Sequence, residues 1–257
     1  MKSVGAFIAV AYTLAIALSV LIGWTGGHSS PLIALGYLSM LLPAFAVLIV
    51  RERPRVKWER LPMRYLPLAL FLIPAVMHAV MLPLMSARGV LRWKQASVGG
   101  VIANAVIGLM IVAVLAFFEE IGWRAWLLPR LADRFDARLA VVLTSAIWAV
   151  WHLPFLLSGI LYIEGVNTTR LIPVQMLGTF AAGLILGWLW LRTESIWLVS
   201  IAHGSLNNWG QFAFKYLQDT GTPDRDLLVL AAGSAALLAV GAALLMVFAP
   251  RRRHSEF

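Results

Sequence analysis

Long apolar runs alternate with short polar segments along almost the whole chain. The apolar windows fall at 4–24, 31–50, 65–85, 99–118, 139–158, 172–191, 195–217 and 227–248. Each is close to the ~20 residues that a helix needs to cross a bilayer. A segment in lipid must satisfy its own backbone polar groups, so runs of this length predict helices. The expected fold is all-α: a polytopic integral membrane helical bundle of about eight transmembrane helices. Lys2 followed by an apolar stretch has the charge order of a signal peptide. The stretch is too long, however, for the ~7–15 residues of a signal core, which predicts a first transmembrane helix. The fourth window has no breaker until Pro129, so its helix is expected to continue past Phe118 for about thirty residues.

Composition agrees with the pattern. Of 257 residues, 61% are hydrophobic and 13% charged, about half the charge typical of soluble domains (~25%). Mean hydropathy is +0.84. No soluble stretch is long enough for a second folded unit, so a single membrane domain is expected. The net charge of +9 does not point to nucleic acid, because the basic residues cluster between apolar runs. Arg51, Arg53, Arg55, Lys57, Arg60 and Arg64 form one such cluster and Arg251, Arg252 and Arg253 another. Clusters of this kind orient helices and meet anionic lipid headgroups. They place segments 51–64, 130–138, 192–194 and both termini on the cytoplasmic side of a cell membrane. Segments 25–30, 159–171 and 218–226 fall outside, the last with Asp219, Asp224 and Asp226. Arg88, Arg92 and Lys94 oppose this orientation. The absence of cysteine excludes disulfides and thiolate metal ligands.

Three short patterns hold most of the polar residues at membrane depth. The first is Glu119-Glu120-Ile121-Gly122-Trp123-Arg124. A carboxylate inside a bilayer costs roughly 2.5–3.5 kcal/mol on insertion scales and is normally retained for use. Residues four apart share a helix face, so Glu120 and Arg124 can pair. Glu119, about 100° away, can face another neighbour. The second pattern is Trp148-Ala149-Val150-Trp151-His152, with Trp148 stacked one turn before the imidazole. The third is His203-Gly204-Ser205-Leu206-Asn207, where His203 and Asn207 share a face and Asn208 extends the patch.

Glu119 lies 16 residues before Phe135 and His152 lies 17 after it, so a helical hairpin brings them to similar depth. His203 lies ten residues beyond Thr193, roughly 15 Å of helix rise. Together these separations predict a cavity between three helices, below the cytoplasmic surface. A lone His or Asn in a membrane helix is often just an interhelical partner, and His28 and His78 are read that way. Two carboxylates, two imidazoles and an amide at matched depth point to chemistry. Gly183 and Gly187, beside Ala181 and Ala182, form a small-x-x-x-small surface for close helix packing. The Asn167-Thr168-Thr169 sequon carries no weight.

Taken in order, Glu119-Glu120-x-x-x-Arg124, Trp148-x-x-x-His152 and His203-x-x-x-Asn207 resemble the motifs of the CPBP intramembrane proteases. That family includes CAAX prenyl endopeptidases and bacteriocin-processing or immunity relatives. The resemblance covers residues 99–210, with 1–98 as N-terminal transmembrane helices and 211–257 as a C-terminal transmembrane helix and basic tail. One departure is Trp148, where the family usually has Phe. The resemblance implies that Glu119 and His152 activate the attacking water, His203 and Asn207 stabilise the oxyanion, and Glu120 and Arg124 support them. Physical chemistry accommodates this: a carboxylate in a low-dielectric pocket is a competent general base, and Asn and His can donate to an oxyanion. Glu119, His152 and His203 would alternatively form a catalytic zinc shell with an open position for water, although HExxH is absent.

The expected function is hydrolysis of a peptide bond in a membrane-associated protein or peptide, prenylated or not. Its partners would be membrane lipid and a membrane-anchored substrate, with no cofactor required and zinc as the alternative. A non-catalytic scaffold or immunity-type protein that keeps the site as architecture is the second reading. A small transporter is the third, but no internal repeat supports it.

Overall fold

The computed structural model describes residues 2–87, 92–93, 96–163, 165–210, 212, 216–218 and 223–248. Arg88, Lys94, Asp219 and Arg251–Arg253 lie outside the described residues. The described helices are α1 (Lys2–Trp24), α2 (Ile33–Val50), α3 (Met63–Ser86), α4 (Val98–Ala132), α5 (Ala137–Leu157), α6 (Thr168–Thr193), α7 (Ile196–Trp209) and α8 (Pro223–Phe248). Seven of the eight are long and apolar enough to cross a membrane, and α7, at 14 residues, is the exception. The protein is therefore a multi-pass helical membrane protein. The expected 195–217 window is represented by this shorter helix, eight of whose residues between Ile196 and Ser205 are buried. A two-residue antiparallel ladder pairs β1 (Arg92–Trp93) with β2 (Leu217–Gln218).

Helix α4 runs 35 residues, as its lack of breakers predicts, but it is not uniform. Its turns widen to π geometry over Asn104–Gly108 and again over Ile121–Leu127. Wide turns of this kind shift the backbone register and are frequent at functional sites. The carbonyls of Asn104 and Ala105 at the first are met by Asn208 Nδ2 (3.3 and 3.2 Å) and Trp209 Nε1 (3.0 Å to Ala105). The Ala125 carbonyl at the second accepts the Arg55 N–H at 2.8 Å.

Packing follows side-chain size. On α6, a Cβ at Gly183 would lie 2.8 Å from Ser145 Cβ, and one at Gly187 would lie 2.5 Å from Val141 of α5. The small-x-x-x-small surface is thus an α5–α6 contact, as expected. Tyr12 donates to the Ile147 carbonyl (2.7 Å) and Trp151 to the Ala11 carbonyl (3.1 Å), fastening α1 to α5. Phe7 stacks on Trp126 at 4.6 Å and meets Trp123 edge-on at 5.5 Å.

The two ends of the bundle differ. At one end, Arg55 pairs with Asp133 (2.6 Å), Arg130 with Glu52 (2.9 Å), and Lys57 and Arg60 with Glu194 (2.5 and 2.6 Å). Arg138 reaches the Met246 carbonyl of α8 at 2.9 Å. At the other end, Gly27 (φ +59°) sits under the Ser158 carbonyl, and His28 packs on Tyr162 with ring centroids 4.3 Å apart. Asn167 of the sequon caps α6, accepting from the Thr169 N–H at 2.8 Å.

Candidate active site

Glu119 and Glu120 end the regular part of α4, immediately before the second wide turn. Both are buried, Glu119 at 2% exposure and Glu120 at 0%. They face different partners, as their 100° separation requires. Arg124 Nη1 donates to Glu120 Oε1 at 2.8 Å across one turn, giving the expected ion pair with both side chains fully enclosed. His203 Nδ1 reaches the same oxygen at 2.7 Å. Glu120 thereby joins α4 to α7, a contact the sequence reading missed, since helical spacing carries no information about partners on another helix. Close approach of the two helices depends on Gly204, where a Cβ would fall 2.8 Å from the Ala113 Cα.

Glu119 accepts the Trp148 indole N–H at 2.5 Å from α5. The departure from the family's Phe therefore matters, because a phenyl ring has no such donor. Trp148 is also the hub of the cluster. The Arg124 guanidinium lies 4.4 Å above its ring, and it meets His152 and His203 at 5.3 and 5.2 Å. Both histidine contacts are edge-on at 79°. This corrects the expected stacking on His152: the imidazole turns instead to place Nδ1 2.8 Å from the Trp148 carbonyl. A carbonyl only accepts, so Nδ1 carries the proton and, in the neutral ring, Nε2 holds the free lone pair.

These side chains adjoin a cavity of about 580 Å³. Trp148, His152, His203 and Asn207 line it, and Glu119, bonded to the Trp148 indole, is not itself among the lining residues. Thr179 and Gln175 of α6 and Ser234 of α8 face it as well. The sequence reading missed all three. The i, i+4 spacing of Gln175 and Thr179 in an otherwise apolar stretch was the available signal. Asn208, expected to extend the patch, instead serves the α4 carbonyls. His78 Nδ1 bonds the Pro74 carbonyl at 2.6 Å and His28 packs on Tyr162, so both are placed as architecture.

Among the described residues, no three His, Asp or Glu side chains are grouped to hold a metal ion. In the expected set, Glu119 Oε1 takes an indole N–H, while the Nδ1 atoms of His152 and His203 are held by a backbone carbonyl and by Glu120, an engagement that leaves each Nε2 open.

Comparison with known proteins agrees with the geometry. Residues 100–209 match the family described as Rce1-like type II CAAX prenyl endopeptidases. A protein named CAAX prenyl protease 2, from Methanococcus maripaludis, is 25% identical over 175 residues. That match covers 67% of this chain and 65% of the relative, just under two thirds of its length.

Proposed function

We propose that this chain, whose residues 100–209 match the Rce1-like type II CAAX prenyl endopeptidases, is an intramembrane endopeptidase of the CPBP type. Its substrate would be a membrane-associated protein or peptide, with a CAAX-type C-terminus as the class suggested by the relative's name. One observation carries the reading: buried Glu119, braced by Trp148, stands beside a cavity whose wall presents His152, His203 and Asn207.

In the proposed reaction, water enters between Glu119 and the free Nε2 of His152, and Glu119 removes its proton as the oxygen attacks the scissile carbonyl. The proton then passes to the leaving amine. The carbonyl oxygen becomes an oxyanion held by the Asn207 amide and by His203. With Nδ1 bonded to Glu120, His203 donates from Nε2 only as the imidazolium, and Glu120 offsets that charge. The Trp148 N–H occupies one oxygen of Glu119 and leaves the other for water. Arg124 holds Glu120 in place and touches no reacting atom.

The test is cleavage of a panel of lipidated C-terminal peptides by the purified protein in liposomes, with Glu119→Gln as the paired control. Cleavage that disappears in the variant supports the assignment. Undiminished cleavage by Glu119→Gln contradicts it. No cleavage by either protein across the panel favours the scaffold reading.

A further inference from the structure

The connection between α2 and α3 is laid against the turn between α6 and α7. The Trp197 indole donates to the Trp58 carbonyl at 2.9 Å, Ser195 Oγ to the Arg60 carbonyl at 2.6 Å, and Arg60 Nη1 to Glu194 at 2.6 Å. Between these segments lies a pocket of about 350 Å³, whose lining includes Glu59, Arg60, Leu61, Arg64, Tyr65 and Arg192.

The charges around this pocket do not balance. Lys57 and Arg60 share Glu194. Arg64 lies over the Tyr65 ring at 5.1 Å, and neither it nor Arg192 has a carboxylate partner among the described residues. With Glu59 as the further acid, four cations stand against two carboxylates. Arg60 uses only Nη1 for its partners, the Thr193 carbonyl and Glu194, so its other N–H donors stay open. Helix α3 also begins here with no side chain capping its first turn, and a helix N-terminus adds partial positive charge.

The surroundings are those of a membrane interface. Trp58 and Trp197, both exposed and with ring centroids 6.1 Å apart, stand beside the pocket as aromatic side chains do at headgroup level. Leu61 and Met63 are exposed next to it. Leu68 and Phe71 follow Arg64 at spacings of four and three, so one face of α3 carries an arginine at its end and exposed apolar side chains over the next ~10 Å.

We propose that this pocket binds the headgroup of one anionic phospholipid, with the phosphate on Arg64 and Arg192 and the acyl chains along the Leu68–Phe71 face of α3. An arginine fork bonds two phosphate oxygens at once, and basic pockets between transmembrane helices hold acidic headgroups. A free phosphate could use the same guanidinium groups but would not reach the apolar face, whereas a phospholipid satisfies both. The basic cluster then divides by role. Arg55, Lys57 and Arg60 fasten parts of the protein to one another, and Arg64 with Arg192 is left for lipid. The pocket shares no lining residue with the candidate active site, so the inference stands apart from the endopeptidase reading.

The test titrates the whole purified protein in detergent with phosphatidylglycerol or phosphatidylcholine of the same acyl chains, and counts bound lipid by native mass spectrometry. The wild type should prefer phosphatidylglycerol by about 10-fold or more. Arg64→Gln/Arg192→Gln should weaken its binding about 10- to 30-fold. Arg51→Gln/Arg53→Gln removes the same charge from the same end, outside the pocket, and should leave binding unchanged. Glu59→Gln removes the pocket's own carboxylate and should tighten binding about fivefold, a gain that misfolding does not imitate. Millimolar inorganic phosphate should not displace the lipid. Equal binding of the two lipids, no loss in Arg64→Gln/Arg192→Gln, equal loss in the two double variants, or no gain in Glu59→Gln would overturn the site. Displacement by inorganic phosphate would overturn the phospholipid as its ligand.

Discussion

Ion pairs hold this molecule together in two places, and burial makes them different devices. At the loop end, Arg55–Asp133 and Lys57–Arg60–Glu194 are about half exposed. Water and salt screen such pairs, each worth ~0–1 kcal/mol, so their role is to fix where the 51–64 segment lies. In the cluster, Glu120, Arg124 and His203 are buried, with Trp148 against both Arg124 and His203. There the same chemistry is costly to interrupt, because any partner left behind is a buried charge. Exposed pairs tolerate change, and the enclosed one does not. That rigidity suits Glu120 and Arg124 to the proposed role of holding the site in register, with Glu119, one residue away, as the proposed general base.

The largest expected loss is therefore at Arg124. Arg124→Ala strands Glu120 and should cost about 3–5 kcal/mol, read as a fall in unfolding temperature in detergent. A variant that unfolds like the wild type would erase the contrast between the two regions. Trp148→Phe keeps a ring but removes the N–H to Glu119. A hydrogen bond to a charged group is worth about 1.5–3 kcal/mol, so turnover should fall roughly 10- to 100-fold with little change in KM. Gly187→Leu forces a side chain into Val141 and should cost about 1–3 kcal/mol, seen by thermal unfolding.

The smallest effect belongs to the exposed end, where Asp133→Asn should cost no more than ~1 kcal/mol, and less in high salt. The Arg55 guanidinium, bonded to both carboxylate oxygens, holds Asp133 below the usual carboxylate range. A carboxyl lowered in the folded state stabilises above its unfolded value, near 4, and loses that contribution as pH falls through the folded value. The wild-type advantage over Asp133→Asn should therefore shrink below about pH 4 and be constant at neutral pH, as unfolding curves across pH would show.

Much of this was legible in the sequence because helices in lipid obey strong local rules. Window length predicted the spans, and the three motifs named the side chains that meet. The i, i+4 rule predicted the Glu120–Arg124 pair and the Gly183–Gly187 contact. What the sequence hid depends on register between helices or on departures from ideal geometry. The wide turn at Ile121–Leu127 follows Glu120 without a Pro or a Gly pair to announce it. The Glu120–His203 bond joins residues 83 apart, and no spacing rule reaches across that separation. The turn of His152 toward its own helix, which defeats the stacking expectation, is a rotamer choice invisible in the residue order. Depth was read as distance from one loop, which fixed the level of the histidines but not which residues of α6 and α8 face them.

The most direct test of the division between the two glutamates compares Glu119→Gln and Glu120→Gln for peptide turnover and unfolding temperature in the same liposome and detergent preparations. Glu119→Gln should lose turnover by at least ~10²-fold while unfolding near the wild-type temperature. Glu120→Gln should unfold at a clearly lower temperature, because Arg124 and His203 lose the charge they share. Full turnover by Glu119→Gln, or a Glu120→Gln protein as stable as the wild type, would contradict the assignment of catalysis to one residue and support to the other.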